Sequence, residues 1–410
     1  MKKIPKLRFK EFSNDWEEKK LGDIILQLKA GVSVNSNEQE KVINSTKAIL
    51  KTSCIYKGKF IENEAKKILP EELKKVGLYA KKGQLIISRM NTPQLVGAVA
   101  YIEKDFTNRY LPDRIWQTEF KNKKYNGKFL SYLLNTSKYN LKIRDLATGT
   151  SNSMKNISKE NFLNLNIFIS RENEQQKIVE FLSSVDKKIN LIEVKLELFK
   201  KYKRGVMQNL FSQELKFKDN EGNDYPGWKE KKLGDIFIEI SERNLTEEKL
   251  ELLSVSINNG VQKRNEIEAK DNSSEDKRKY KKVDRNDIVY NTMRMWQGAV
   301  GVSNYVGIVS PAYTVIRLKT QDNINYFKYL FKTYIMIYIF KKFSQGLTSD
   351  TWNLKFEKFK EIKIWIPISL EEQQKIVDFL VSIDIKIENI EKELEGLKEF
   401  KKGLLQQMFV

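Results

Sequence analysis

The residues in this 410-residue chain whose types and spacing could do chemistry are arginines, asparagines and glutamines set beside aromatic rings. Covalent catalysis has few candidates. There is no histidine, which removes histidine triads, histidine general bases and histidine metal sites together. Cys54 is the single cysteine, so internal disulfides and thiolate clusters are excluded. No phosphate-cradling G-x-x-x-x-G-K-S/T loop occurs. Gly58-Lys59 and Gly127-Lys128 come nearest and lack the upstream glycine and the hydroxyl. No NPPY- or DPPF-like tetrad of an amino-methyltransferase is present. Acidic–basic tripeptides such as Glu72-Leu73-Lys74 could mimic part of a nuclease site, but with 31 % charged residues they arise by chance. The sequence reads as non-catalytic.

What remains is recognition chemistry. Gly83 to Arg89 predicts a turn feeding a short apolar strand that ends on an arginine, with residues 95–103 as the next strand. Asp287 to Arg294 is the counterpart, followed by a strand at 297–303 and by Val315-Ile316 near the end of another. Gly97-Ala98-Val99 and Gly298-Ala299-Val300 stand 201 positions apart, so the two regions share a skeleton. A strand-end arginine suits bidentate contact with guanine, and asparagine or glutamine with adenine. Surface ion pairing is the alternative for Arg89 or Arg294 taken singly, and their matched placement favours readout. Two polar loops, 147–153 and 344–351, combine glycine with hydroxyls and amides, which fits close backbone approach to phosphates. Such loops are also ordinary connectors. The candidate contact set is Arg89, Asn91, Gln94, Arg114, Thr150, Ser151 and Asn152 in the first region. In the second it is Arg264, Asn291, Arg294, Trp296, Gln297, Thr348 and Ser349.

The elements that must position these residues are written twice. Residues 174–211 align without a gap to 372–409, with 21 identities over 38 positions, including EQQKIV at both starts. WEEKKLGDI at 16–24 returns as WKEKKLGDI at 228–236, and LRFK at 7–10 as LKFK at 215–218. The unit is a lead-in segment, a variable middle and a long terminal block. In the first terminal block, Ile178, Leu182, Val185, Ile189, Ile192, Leu196, Phe199, Val206 and Leu210 alternate in steps of three and four, with Lys203 filling the one gap. Ile376 to Met408 repeats the pattern, with Lys401 at the matching gap. A strict alternation over more than four heptads is a coiled-coil seam. Two core helices of a bundle are the other reading, but each helix would run about 57 Å, longer than a globular domain needs. The matched polar gap favours the two helices pairing with each other, because one polar seam position fixes register. Ser369 and Glu372 fit a capping box for the second helix; the first offers Ser170 and Asn173 instead.

Composition bounds the class. The 40 % hydrophobic content suffices for packed cores, and the longest apolar run, Tyr334 to Phe340, is far too short to span a membrane. The start MKKIPKLRFK has no apolar segment behind it, so no signal peptide is expected and a cytoplasmic chain is. The net charge is +20, while residues 172–211 carry +2 and 371–410 carry −3, which leaves +21 on the other 330 residues. An anionic partner on the variable regions, nucleic acid above all, accounts for that distribution. Lysine-rich coding bias is the competing explanation, and it would not spare the helices.

The doubled pattern of a W-x-x-K-K-L-G-D-I lead-in, a glycine loop, an apolar strand and E-Q-Q-K-I-V opening a helix that ends in Gln and Phe resembles the specificity subunits of type I restriction–modification systems. The resemblance spans essentially the whole chain. It implies a mixed α/β (α+β) fold with two pseudo-repeated target recognition domains, at 1–171 and 213–370. It implies also a central helix at 172–212 and a C-terminal helix at 371–410 that form an antiparallel coiled coil. Each domain would read one half of a split, asymmetric target in double-stranded DNA, and the helices would act as a spacer. The implied partners are two modification (methyltransferase) subunits and the restriction subunits. S-adenosylmethionine, ATP and Mg²⁺ would serve those partners, and no cofactor is expected on this chain. One departure is the first helix start, I-S-R-E-N-E-Q-Q, where the family usually has proline nearby. A stand-alone coiled-coil DNA-binding or scaffold protein, or a nuclease or methyltransferase acting alone, are the rival readings.

Overall fold

The lead-in motif and the strand before each long helix are brought together first. In the computed structural model, which describes all residues except 1–3, 41, 123, 150–153, 246–248 and 269–272, strand Glu17–Lys20 pairs antiparallel with Asn166–Ile169. Lys229–Lys232 pairs in the same way with Lys363–Ile366. The chain divides into two compact units, Met1–Ile192 with Glu393–Val410, and Glu193–Lys392.

In the first unit an antiparallel sheet runs in the order Val99–Tyr101, Leu85–Ser88, Ile115–Phe120, Ile25–Ala30. A second, mixed sheet has Ala48–Leu50 parallel to Phe106–Tyr110. The apolar run Leu85–Ile87 is fully buried, which suits a strand covered on both faces. Helices α1 (Gly127–Leu134) and α2 (Ser137–Asp145) follow, each with a side chain closing its first turn. Asn126 Oδ1 accepts from the Lys128 and Phe129 amides, and Thr136 Oγ1 from the Tyr139 amide. Helix α3, Glu172–Phe211, is 40 residues long.

The second unit repeats the sheet order, with Val300–Val302, Ile288–Asn291, Tyr313–Leu318 and Phe237–Ile240 as the respective equivalents. Helices α4 (Ile324–Leu330) and α5 (Tyr334–Phe343) are capped by Asn323 and Thr333. Helix α6, Leu370–Gln407, has 38 residues.

Several sequence expectations are corrected here. Residues 95–97 form a turn, so the strand starts only at Val99; Gly97 takes φ +77°, the left-handed region that glycine tolerates. Likewise Met295–Gln297 is a 3₁₀ turn ended by Gly298 at φ +87°, and the strand begins at Val300. Val315 and Ile316 sit in the middle of Tyr313–Leu318. The capping box of α6 is half made: Ser369 Oγ accepts from the Glu372 amide, but the Glu372 carboxylate turns to the Trp228 indole at 3.0 Å. Ser170 caps nothing; its buried hydroxyl has no partner among the described residues.

The repeated blocks contact each other inside each unit, which explains what is repeated. Glu174 accepts from the Trp16 indole at 3.3 Å and from Arg8 at 2.7 and 2.8 Å. Gln175 and Gln176 accept from the backbone and side-chain amides of Asn126, the cap of α1. Gln373 and Gln374 do the same for Asn323, the cap of α4, at 2.8 and 2.7 Å. The EQQ motif is therefore a clamp that fastens a variable domain to the start of its long helix. The last aromatic of the partner segment closes each unit: Phe409 packs on Trp16 and Phe129, and Phe211 on Tyr326.

Within each unit the two long-helix segments run antiparallel, as the ion pairs Lys401–Asp186 with Lys188–Glu393, and Lys200–Glu391 with Lys203–Asp384, require. Seam residues Leu182 and Leu380 are fully buried. The two lysines in the seam gaps are answered. Lys401 reaches Asp186 at 2.6 Å and lies over the Tyr132 ring, whose hydroxyl donates to the same Asp186 at 2.7 Å. Lys203, Asp384 and Tyr329 form the same triad in the second unit, at 2.5 and 2.7 Å. Burial first, and Asp384 next, push the Tyr329 hydroxyl up, so it remains a donor. Each triad ties a variable domain to both helix segments of its unit.

Candidate nucleic-acid interface

In each unit the end of a central strand and a glycine-containing polar loop, far apart in sequence, are hydrogen-bonded neighbours. Met90–Asn91 pairs with Lys155–Asn156, and Thr148 bridges Asn156. In the second unit the Leu354 amide donates to the Thr292 carbonyl at 2.9 Å, and Gln345 bridges Asn353. In the second unit the strand-end and loop clusters thus become neighbours, and in the first the described ends of the loop, Thr148 and Lys155–Asn156, lie against the strand end.

The candidate residues differ in what they can offer there. Arg294 is exposed at the start of the 3₁₀ turn, and its side chain makes no hydrogen bond or ion pair among the described residues. Next to it, Trp296 donates its indole N–H to the Met293 carbonyl and meets Trp352 edge-on at 5.2 Å, while Lys341 lies over the Trp352 ring. Gln297 is half-buried. Asn291 accepts from the Met293 amide and so shapes the turn. Thr348 and Ser349 are exposed, but the Thr348 amide is already held by the Thr351 hydroxyl. Arg264 belongs to another 3₁₀ turn, Arg264–Glu266, where it reaches the Ile267 carbonyl.

In the first unit, Arg89 is half-buried, with its guanidinium 6.0 Å from the Trp116 ring centroid and its buried Nε without a partner among the described residues. Asn91 is buried and spent on the turn, donating to Ser88 and accepting from the Thr92 amide. Arg114 is exposed, and its carbonyl accepts from the Arg89 amide. Gln94 is exposed on the rim of a recess of about 880 Å³ that it shares with Tyr56, Lys59, Tyr132 and Arg144. Thr150, Ser151 and Asn152 lie outside the described residues.

The matched placement of Arg89 and Arg294 does not hold in three dimensions. The Arg89 carbonyl accepts from Ile157 and its amide donates to Arg114, whereas in the second unit Thr292 makes the equivalent bonds, to Leu354 and Ala312. Arg294 lies two residues further on. The turn from Arg89 to Gly97 is two residues longer than the one from Thr292 to Gly298, so matching the two strand-end arginines along the sequence misaligned them. Sequence reasoning also missed Trp352, Lys341 and Lys355; the signal for them was a tryptophan flanked by lysines within a polar loop. Lys355, Thr292, Thr351 and Asn353 line a second recess of about 510 Å³ beside the strand end.

Among the described residues no helix is long and apolar enough to cross a membrane.

The comparisons fit this doubled build. The type I restriction modification DNA specificity domain matches twice, at residues 13–199 and 225–399. The chain is 24 % identical over 413 residues to the putative type I restriction enzyme MjaX specificity subunit of Methanocaldococcus jannaschii, covering 96 % of this chain and 93 % of that protein. Against the type I restriction enzyme EcoEI specificity subunit of Escherichia coli it is 21 % identical over 182 residues, 44 % of this chain and 31 % of that one. The fold is similar to that of the type I restriction–modification S subunit from M. genitalium, with a TM-score of 0.57, 18 % identity and 99 % of each chain covered. A chain from a structure of type I R-M complex assembly gives a TM-score of 0.58 at 16 % identity, covering 96 % of this chain and 97 % of that one. With both variable domains matched, the chain belongs to the type I restriction modification DNA specificity family, as a DNA-recognising rather than a catalytic subunit.

Proposed function

We propose that each unit reads one half of a bipartite, asymmetric sequence in double-stranded DNA, with the long helices setting the unspecified gap. The observation that carries this reading is one frame holding two different surfaces. The strand end and polar loop are joined in the same way in both units, yet the side chains they present differ: Arg89, Gln94 and Arg114 in one, Arg294, Trp296 and Gln297 in the other. Different base contacts on one scaffold suit two unlike half-sites, unlike the palindrome of a symmetric dimer. The positive excess outside the helices supports phosphate contact around them.

The partners are two modification subunits that methylate an adenine in each half-site with S-adenosylmethionine, and restriction subunits that use ATP and Mg²⁺. Support for docking comes from exposed apolar residues of the second unit on α3, Val194, Leu198 and Tyr202, between 51 and 60 % exposed and spaced four apart. A cytoplasmic setting follows from these partners.

Methylome sequencing of cells that express this chain with its neighbouring methyltransferase tests the reading. A split, non-palindromic motif is expected, and a contiguous palindrome overturns it. Arg294→Ala then relaxes one half-site only, at about 1–3 kcal/mol, if the guanidinium reads a base. Uniform weakening across all sequences makes it a phosphate contact instead.

A further inference from the structure

Leu347 stands out among the exposed apolar residues of the second unit. Its relative exposure is 101 %, in a loop otherwise built of glycine, hydroxyls, amides and the exposed Asp350 carboxylate. Single exposed leucines are common on protein surfaces, and exposure by itself means little. What sets this one apart is the frame that holds it out. Gln345 and Asn353 close the loop as a two-residue bridge. The Thr351 hydroxyl donates to the Thr348 carbonyl and accepts from the Thr348 amide, and the Thr351 and Trp352 amides also donate to the Thr348 carbonyl. Gly346, at φ +146°, lies so close to this turn that a Cβ there would come within 2.6 Å of the Thr351 carbonyl oxygen. The base of the loop is anchored by Trp352 against Trp296, with the Lys341 ammonium over the Trp352 ring and Lys342 exposed beside it.

A hydrogen-bonded loop that projects one apolar side chain, with Lys341 and Lys342 at its base outnumbering the single Asp350 carboxylate, and continuous with the strand-end surface, has the build of a wedge for a stacked base pair. Apolar wedges pushed between base steps unstack them and kink the duplex, most readily at flexible pyrimidine–purine steps. We infer that Leu347 inserts between two base pairs of the half-site bound by the second unit and selects a deformable step there. This inference rests on the duplex-reading function proposed above. It adds a contact that carries sequence preference without a hydrogen bond to a base edge.

The test uses the full chain and target duplexes with 2-aminopurine placed at successive positions, because that base brightens when it is unstacked. Wild type should bind and brighten the probe several-fold at one step within one half-site. Leu347→Ala should still bind through the surrounding cations and lose the brightening, and Leu347→Met should restore it. Bound duplex that brightens nowhere, or equally with Leu347→Ala, overturns the wedge while leaving the DNA-reading function in place. A wild-type chain that binds no duplex at all overturns the underlying reading, and the wedge with it.

Discussion

In the first unit Glu174 lies under the Trp16 indole and inside the fork of Arg8; in the second, Glu372 meets Trp228 with Lys216 standing where Arg8 stands in the repeat. The arginine supplies two parallel charge-assisted bonds, and the Glu174 hydrogen bond raises the Arg8 pKa. Lysine has no such fork, and no ion pair joins Lys216 to Glu372 among the described residues. Glu372 Oε2 is left buried without a partner among the described residues, and burial raises its carboxyl above the ordinary value despite the opposing Trp228 bond and the Lys216 charge. The same anchor is thus fully satisfied in one unit and strained electrostatically in the other. The faces diverge as well. The exposed positions of α2 include Lys138, Lys142 and Arg144, whereas those of α5 include Tyr334, Ile335 and Tyr338 ahead of Lys341 and Lys342. The difference teaches that the clamps and triads are common machinery, while the outward surfaces are free to select.

The largest test of that common machinery removes its hubs. Trp16 is 2 % exposed and packs on Phe129 and Phe409, so Trp16→Ala should cost about 3–5 kcal/mol. Trp228 is only half-buried, so Trp228→Ala should cost clearly less. Denaturant unfolding of both variants measures this; equal losses would mean that the two anchors are energetically alike.

Next in size are the triads. Asp186→Asn and Asp384→Asn each leave a seam lysine without its counter-charge and weaken the tyrosine bond, and should cost about 1–3 kcal/mol apiece. Because the two triads share geometry, the two losses should agree within about 0.5 kcal/mol. A large disagreement in chemical denaturation would mean that one triad is decorative.

Smaller still is the effect of giving the second unit the first unit's fork. Lys216→Arg should stabilise by up to about 1 kcal/mol, since the replaced side chain is exposed. Calorimetry should show a raised Tm, and a lowered or unchanged one counts against the equivalence of Arg8 and Lys216.

The last effect is a slope with pH. The folded-state pKa of Glu372 is raised, so protonation favours the folded form. That stability is present below the ordinary carboxylate pKa and is lost as pH rises through the raised value. The wild-type Tm should therefore carry a downward contribution as pH rises above the ordinary glutamate pKa of about 4.3, and Glu372→Gln should flatten it. Identical slopes in the two proteins would show that the orphaned oxygen finds a partner in solution.

The sequence by itself determined the duplication, the coiled-coil seam, the seam lysines and the match of Gly97 to Gly298, though not that both glycines sit in turns ahead of their strands. These are periodic or repeated features, and period and burial are linked through geometry that one chain displays. It also placed the candidate loops, but not their chemistry. Whether Asn91 is free or spent on its own turn, and whether Arg89 is exposed or tucked against Trp116, depends on neighbours that arrive from elsewhere in the chain. Only the tertiary structure decided those, together with the Thr292 register that separates Arg89 from Arg294. The reason for EQQ was equally invisible in one dimension: its partners, Trp16, Asn126 and their counterparts, lie some 50 to 160 residues away. Hydrogen bonds to distant backbone caps leave no period in a sequence, so they emerge only when the chain is folded.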